Sequence, residues 1–321
     1  MTLNPALTLG SLLVGGMVGL TGMGGGALLT PMLMLVFGVP PLAAVSSDLV
    51  VSAITKPFGA FVHLRKGTVN LRLALWLSIG SVPCAFFGGL AGWWLGSGSE
   101  LQLITERATG AVLIIAAAGI AIKAFLPSRG QQDGSAPSGD AQAAQGSGTA
   151  ERPFFVRQIP TLLIGMVVGL AVGVTSTGSG TLVIAALVML YPALPARRLV
   201  GTDLAQAVPM VLAAAAGHII AGDVQMSVTA PLLIGGIPGV IIGSLLSSRA
   251  PSGLLRPVLS VVVLASGLSL VGLSPVVLAV ILVLAVAAGA ALIAALRGRR
   301  AARPAEVPAG RPAEVPQSRS A

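Results

Sequence analysis

The chain has 321 residues, 55% of them apolar, with a mean hydropathy of +0.94 and only 9% charged. This excludes an ordinary soluble domain, and apolar runs reaching roughly 20 residues exclude a β-barrel, whose strands are about ten residues long and alternate. The net charge of +9 is not a nucleic-acid footprint, because Lys and Arg fall mainly between the apolar runs and in the C-terminal tail, where they report membrane orientation. The expected fold class is an all-α polytopic membrane protein.

The N-terminus, "MTLNPALT", lacks a basic region, so a cleaved signal peptide is not expected. The first apolar run, 9–37, contains "GLTGMGGGALLTP", with four glycines within Gly22–Gly26. A straight helix over that run would be about 43 Å long, against a hydrocarbon core of about 30 Å. A break at the glycines lets the run turn back as a re-entrant hairpin. Irregular backbone at depth must then be buried in protein or line a polar cavity. The next run, 43–62, carries Asp48 near its start, Lys56 two turns later, and His63 just beyond its end. Runs at 71–95 and 108–126 follow. Cys84 is the sole cysteine, which excludes an internal disulfide or a cysteine metal cluster.

Residues 127–158, with "SRGQQDGSAPSGDAQAAQGSGTAER", are too rich in Gly, Ser, Ala and Gln to bury a core and read as a flexible cytoplasmic linker. Beyond it come apolar runs at 160–190, with a second break at "TSTGSGT", then 199–221, with Asp203 and His218, 227–248 and 254–272. An unpaired run at 275–296 reads as an extra span, and residues 297–321, with "RPAEVP" twice, as a disordered basic Pro-rich tail.

The two sides of the linker are copies. A shift of 155 residues aligns Gly25 with Gly180, Pro40 with Pro195, Asp48 with Asp203, His63 with His218, Gly80 with Gly235 and Pro83 with Pro238. Such duplication marks many secondary transporters. Charge decides the relative orientation of the copies. If 9–37 and 160–190 each enter and leave on one side, 17 of the 19 Lys and Arg fall inside, leaving Lys56 within a helix and Arg107 in an outer loop. If both runs instead cross once, Arg197, Arg198, Arg249, Arg256 and the basic tail fall outside. The first arrangement is favoured. It gives inverted repeats over 1–126 and 159–272, each a hairpin plus three spans, and an extra span over 273–296. The N-terminus is outside, and the linker and C-terminus are cytoplasmic.

The stretches "GLTGMGGGALLTPML", "GVPPLAAVSSDL" and "HLRKGTVNLRLAL", with their counterparts "TSTGSGTLVIAAL", "LPARRLVGTDL" and "HIIAGDVQM", resemble the TauE/SafE family over residues 9–272. The second copy departs from the triple glycine, reading Gly178-Ser179-Gly180. The resemblance implies a permease of the cell membrane that moves sulfite, an organosulfonate or another small sulfur-containing anion.

The expected substrate site is the pair of tips: Thr21, Gly24, Gly25 and Gly26 from the first copy, and Ser176, Thr177, Gly178, Ser179 and Gly180 from the second. A helix restarting after a break presents free N–H groups and a positive dipole end, which suit an anion. Close packing of small residues is the competing reading, since Gly15/Gly19 and Gly22/Gly26 both have GxxxG spacing. Lys56 either contacts the substrate, pairs with Asp48 or snorkels to the inner surface. An acidic residue within a span is costly and points to function, so Asp48 and Asp203 are assigned coupling or structural roles, as are His63 and His218. No catalytic residue, metal or cofactor is expected. The expected partners are the small anion and the lipid bilayer, with further copies of the chain left open, and no nucleic acid. A membrane-embedded hydrolase, with Asp48 and Asp203 as an aspartyl dyad, and a non-transporting accessory protein are the alternatives. Neither HExxH nor a P-loop motif occurs. Export by alternating access, one repeat moving against the other, is the expected mechanism.

Overall fold

Both glycine-rich stretches interrupt helices. The computed structural model describes residues 4–21, 25–65, 67–91, 98–125, 156–191, 194–246, 252–274, 276–277 and 280–281. In the first half α1 (Pro5–Thr21) is followed by a 3-10 turn (Gly25–Ala27), α2 (Leu29–Leu35), α3 (Pro41–Arg65), α4 (Leu71–Gly89) and α5 (Ser99–Phe125). In the second half α6 (Gln158–Thr175) is followed by α7 (Thr181–Leu190), α8 (Ala196–Ala221), α9 (Met226–Leu246) and α10 (Ser252–Leu270). No strand occurs among the described residues. Residues Met1–Leu278 form one compact unit, to which the following refers; of Ala279–Ala321 only positions 280 and 281 are described, both helical. The linker, most of the extra span and the tail lie outside the described residues.

The 155-residue shift carries over to the elements. Pro41 and Leu71, which open α3 and α4, map onto Ala196 and Met226, which open α8 and α9. Local chemistry sets several of these ends. The Asn70 side chain accepts the Leu73 N–H at 3.1 Å and caps α4. Gly222, at φ 80°, closes α8 in the left-handed region that glycine tolerates.

The elements pack reciprocally. Helix α1 lies along α9, and its counterpart α6 lies along α4. The self-equivalent pairs α3–α8 and α5–α10 also pack together. Glycines permit the close crossings: a Cβ on Gly15 would sit 2.6 Å from the Gly236 carbonyl, and one on Gly88 would sit 3.0 Å from that of Leu170. The GxxxG reading of Gly15 and Gly19 is thus a packing role.

Each broken run folds back on itself. The ring of Phe37 and the sulfur of Met32 approach Gly10 in α1 to 3.1 and 3.3 Å of a notional Cβ. In the second half Tyr191, just past α7, returns to the start of α6. Its hydroxyl accepts the Arg157 N–H at 2.9 Å and lies 2.6 Å from Thr161 Oγ1.

Among the described residues six helices are long and apolar enough to cross a membrane: α3, α4, α5, α6, α8 and α9. Helices α3, α4, α5, α8 and α9 are among the seven spans expected. The outer arm of the second hairpin, α6, has 18 residues and is spanning length by itself, whereas its return arm, α7, has ten. Of the expected spans at 254–272 and 275–296, the first contributes the apolar helical stretch Ser260–Leu270, and the second lies mostly outside the described residues.

Candidate functional site

The two tips meet. Thr177 Oγ1 donates to the Gly26 carbonyl at 3.0 Å, and Thr30 Oγ1 and Ser176 Oγ lie 2.7 Å apart. Gly26 is required there: a Cβ would collide with the Ser176 carbonyl and stand 3.0 Å from Asp48 Oδ2. Ser176 ends α6 at φ 56° and is the one non-glycine with positive φ among the described residues. Such a conformation costs an L-residue roughly 1–2 kcal/mol and persists only where its surroundings impose it. Gly178, at φ 101°, continues the turn in a region closed to other side chains.

Beyond the turn, α7 starts at Thr181 with no side chain capping it. The cleft between the tips is lined by Gly26, Ala27, Ser176 and residues 178–181, so the start of α7 borders it, with the Leu182 N–H donating to the Gly178 carbonyl at 3.0 Å. The cleft has about 10 Å³ of room, on the order of one water molecule. Of the expected site residues, Gly24 lies outside the described residues, as does the Thr21 side chain.

Helix α3 runs beneath both tips. Asp48 lies under the first: its Oδ2 accepts from Thr30 Oγ1 at 3.2 Å, and a Cβ on Gly25 would sit 3.2 Å from Oδ1. Two turns later Lys56 donates from Nζ to Ser179 Oγ, in the second tip, at 2.6 Å. Of the three roles open to Lys56, the geometry sets its ammonium at the tip, directed into the protein. Asp48 and Lys56 lie eight residues apart on α3, Asp203 holds the position equivalent to Asp48 on α8, and Val211 occupies the lysine's place in the second half.

The histidines lie apart from this cluster. His63 Nδ1 is 2.9 Å from Thr68 Oγ1 near the end of α3. His218 is buried, 1% exposed. Its Nε2–H donates to the Gly173 carbonyl at 2.9 Å, tying α8 to α6, and its Nδ1 lies 2.9 Å from Asp223 Oδ2. Among the described residues no group of three or more His, Cys, Asp or Glu is placed to hold a metal ion.

Sequence reasoning passed over Thr30 and Gln206. Thr30 joins Asp48 to Ser176. Gln206 donates from Nε2 to Asp203 Oδ1 at 3.3 Å and accepts from Ser81 Oγ at 3.2 Å. A signal for Gln206 was present: an uncharged amide one turn after a carboxylate in an apolar helix needs an internal partner. Thr30 had none, since one hydroxyl in an apolar run is ordinary.

Comparison with known proteins adds independent findings. The family model described as sulfite exporter TauE/SafE matches residues 7–270. The Bacillus subtilis (strain 168) protein described as probable membrane transporter protein YjnA is 38% identical over 275 residues, covering 84% of this chain and 100% of that protein. Probable membrane transporter protein YdhB of the same organism is 24% identical over 261 residues, covering 81% of this chain and 96% of its own. No solved structure matches the chain.

Proposed function

We propose that this chain, which belongs to the TauE/SafE family of membrane transporters, is a secondary transporter that exports a small sulfur oxyanion, sulfite or an organosulfonate, by alternating access. The observation that carries the reading is the Lys56 ammonium on Ser179 Oγ, at the mouth of the uncapped α7 and between two interlocked tips. A cation held on Ser179, beside a cleft lined by hydroxyl side chains and a helix start, suits an oxyanion.

The chain is a multi-pass membrane protein. Its proposed topology has the N-terminus outside, the linker and C-terminus in the cytoplasm, and the repeats inverted. The reciprocal packing of α1 on α9 and α6 on α4 supports a two-fold relation, and the distribution of Lys and Arg supports its inversion. With room for about one water, the cleft represents a closed state. Admitting an oxyanion requires the tips to part, which breaks the Thr177–Gly26 and Thr30–Ser176 contacts. Access from the two sides would alternate as these contacts close and reopen.

The direct test is protein-dependent flux of isotope-labelled sulfite and of a labelled organosulfonate in proteoliposomes. Saturable flux of either that exceeds flux in empty vesicles and falls in Lys56→Met is expected. Absence of flux for both, from protein that is monodisperse and correctly inserted, would overturn the reading.

A further inference from the structure

Equivalent positions in the two halves hold carboxylates in unequal surroundings. Asp203 Oδ1 accepts from Gln206, which is held in turn by Ser81. The shift of 155 residues puts Val51 where Gln206 stands and matches Ser81 with Gly236. Asp48 therefore lacks both partners. It is fully buried, its Oδ2 accepts from Thr30, and its Oδ1 is the one buried side-chain polar atom among the described residues without a hydrogen-bond partner. Oδ1 faces the backbone of Gly25, with Ser52 Oγ close by: a Cβ on Gly25 would lie 3.2 Å from the first and 3.8 Å from the second.

We propose that Asp48 Oδ1 is the site of a transported proton that couples anion movement. The inference rests on the anion-transport reading above and names its coupling ion. An ionised carboxylate with one oxygen deprived of donors is costly in a dry interior. A proton removes that charge without needing space, whereas a metal cation needs several converging oxygens. The step is a simple association: a proton from one aqueous face binds the Asp48 carboxylate to give the acid and leaves to the other face.

The chemistry that links this proton to the cleft is on hand. Thr30 has one hydroxyl proton and two neighbours, Asp48 Oδ2 and Ser176 Oγ. The Ser176 hydroxyl also reaches the Asp48 carboxylate, so Thr30 and Ser176 share two protons between the carboxylate and each other. Discharging Asp48 weakens the bond from Thr30 and frees the Thr30 proton, which alters the contact that holds the tips together.

Other charges do not take over this role. The 3-10 turn, α2 and α9, which pack on α3, carry no titratable side chain. Helix α5 carries Glu100, Glu106, Arg107 and Lys123, and α8 carries Arg197, Arg198, Asp203 and His218. Lys56 stands two turns along α3 itself, with its ammonium on Ser179 Oγ.

Infrared difference spectroscopy of the reconstituted full chain during a pH titration tests the proton site without any substrate. A carboxylic-acid carbonyl band that titrates in wild type and in Asp203→Asn, and is missing from Asp48→Asn, is expected. A band that persists in Asp48→Asn, or no titrating band in wild type, would overturn the proposal. In vesicles, wild-type protein should accumulate sulfite about tenfold per unit of imposed pH difference for one proton per anion, and Asp48→Asn should lose that response. A response retained by correctly inserted Asp48→Asn, or one that follows a sodium gradient instead, also overturns it. A titrating Asp48 band in a protein that moves neither sulfite nor sulfonate would sink the anion reading and leave the proton site standing.

Discussion

Gly26→Ala puts the proposed closed state to a quantitative test. The added Cβ would collide with the Ser176 carbonyl, which is backbone and has no rotamer to escape into, and would stand 3.0 Å from Asp48 Oδ2. Relieving the overlap requires the tips to separate by about 1 Å, to ordinary contact distance. That shift breaks the Thr177–Gly26 and Thr30–Ser176 hydrogen bonds, each contributing about 1 kcal/mol, and adds strain of about 1–3 kcal/mol. The total of about 3–5 kcal/mol disfavours the closed arrangement by at least about a hundredfold. The assay is the rate at which a membrane-impermeant thiol reagent labels Thr181→Cys, a residue lining the cleft, with Cys84→Ser as background. Labelling should rise by at least about two orders of magnitude in Gly26→Ala while sulfite flux collapses. Gly16→Ala is the control, because its Cβ would meet nothing nearer than the Gly239 carbonyl at 3.9 Å. Unchanged labelling and flux in Gly26→Ala, or equal damage from Gly16→Ala, would refute the reasoning.

Three further outcomes are expected. Lys56→Met should raise the half-saturating anion concentration at least about tenfold, because the ammonium on Ser179 is lost, while Lys56→Arg, which keeps the charge, should retain most of the affinity; equal affinity in Lys56→Met and wild type would make the lysine purely structural. Tyr191→Phe should lower stability by about 1–2 kcal/mol in thermal unfolding, because the Arg157 N–H loses its acceptor and Thr161 its hydroxyl partner; an unchanged melting temperature would show that the hairpin base is held by apolar packing alone. Single cysteines at the N-terminus and in the linker should label from opposite sides of the membrane; labelling from one side contradicts the proposed topology.

The broad architecture was legible because it follows from composition and period. Long apolar runs become helices in a bilayer, four glycines within Gly22–Gly26 interrupt one, and an ungapped 155-residue shift reappears in the starts of α3, α4, α8 and α9. The cleft was legible in part. Small and hydroxyl residues named the tips, and the eight-residue spacing of Asp48 and Lys56 put both on one face of α3. Spacing along one helix is silent about what lies opposite, however. The Lys56 contact with Ser179 joins residues 123 apart, and the Thr30 contact with Ser176 joins residues 146 apart. Both depend on how one repeat docks on the other. The His218 contact with the Gly173 carbonyl, between residues 45 apart, depends on the docking of α8 on α6 in the same way.

The docking also constrains which parts move in the alternating-access reading. A duplicated sequence invites the picture of one repeat rocking against the other. The glycine seams oppose it, because they cross the repeat boundary. Helices α1 and α9 touch through backbone at Gly15 and Gly236, and α4 meets α6 at Gly88 and Gly173. Helix α8 joins α4 in the same way, a Cβ on Gly89 standing 2.5 Å from the Ala214 carbonyl. Backbone-to-backbone seams have no side chains to repack, so a slide along them meets carbonyls directly. The stiff units are therefore α1 with α9, and α4 with α6 and α8, each mixed from both repeats. Helix α3 lies between them and is held to α9 more loosely, through the Thr229–Ser47 hydrogen bond at 2.9 Å and Val51 against Gly236. It carries Asp48 beneath the first tip and Lys56 beneath the second. A shear at α3 moves a carboxylate and an ammonium relative to both tips at once, which lets a proton on Asp48 and an anion beside Lys56 bias the same motion.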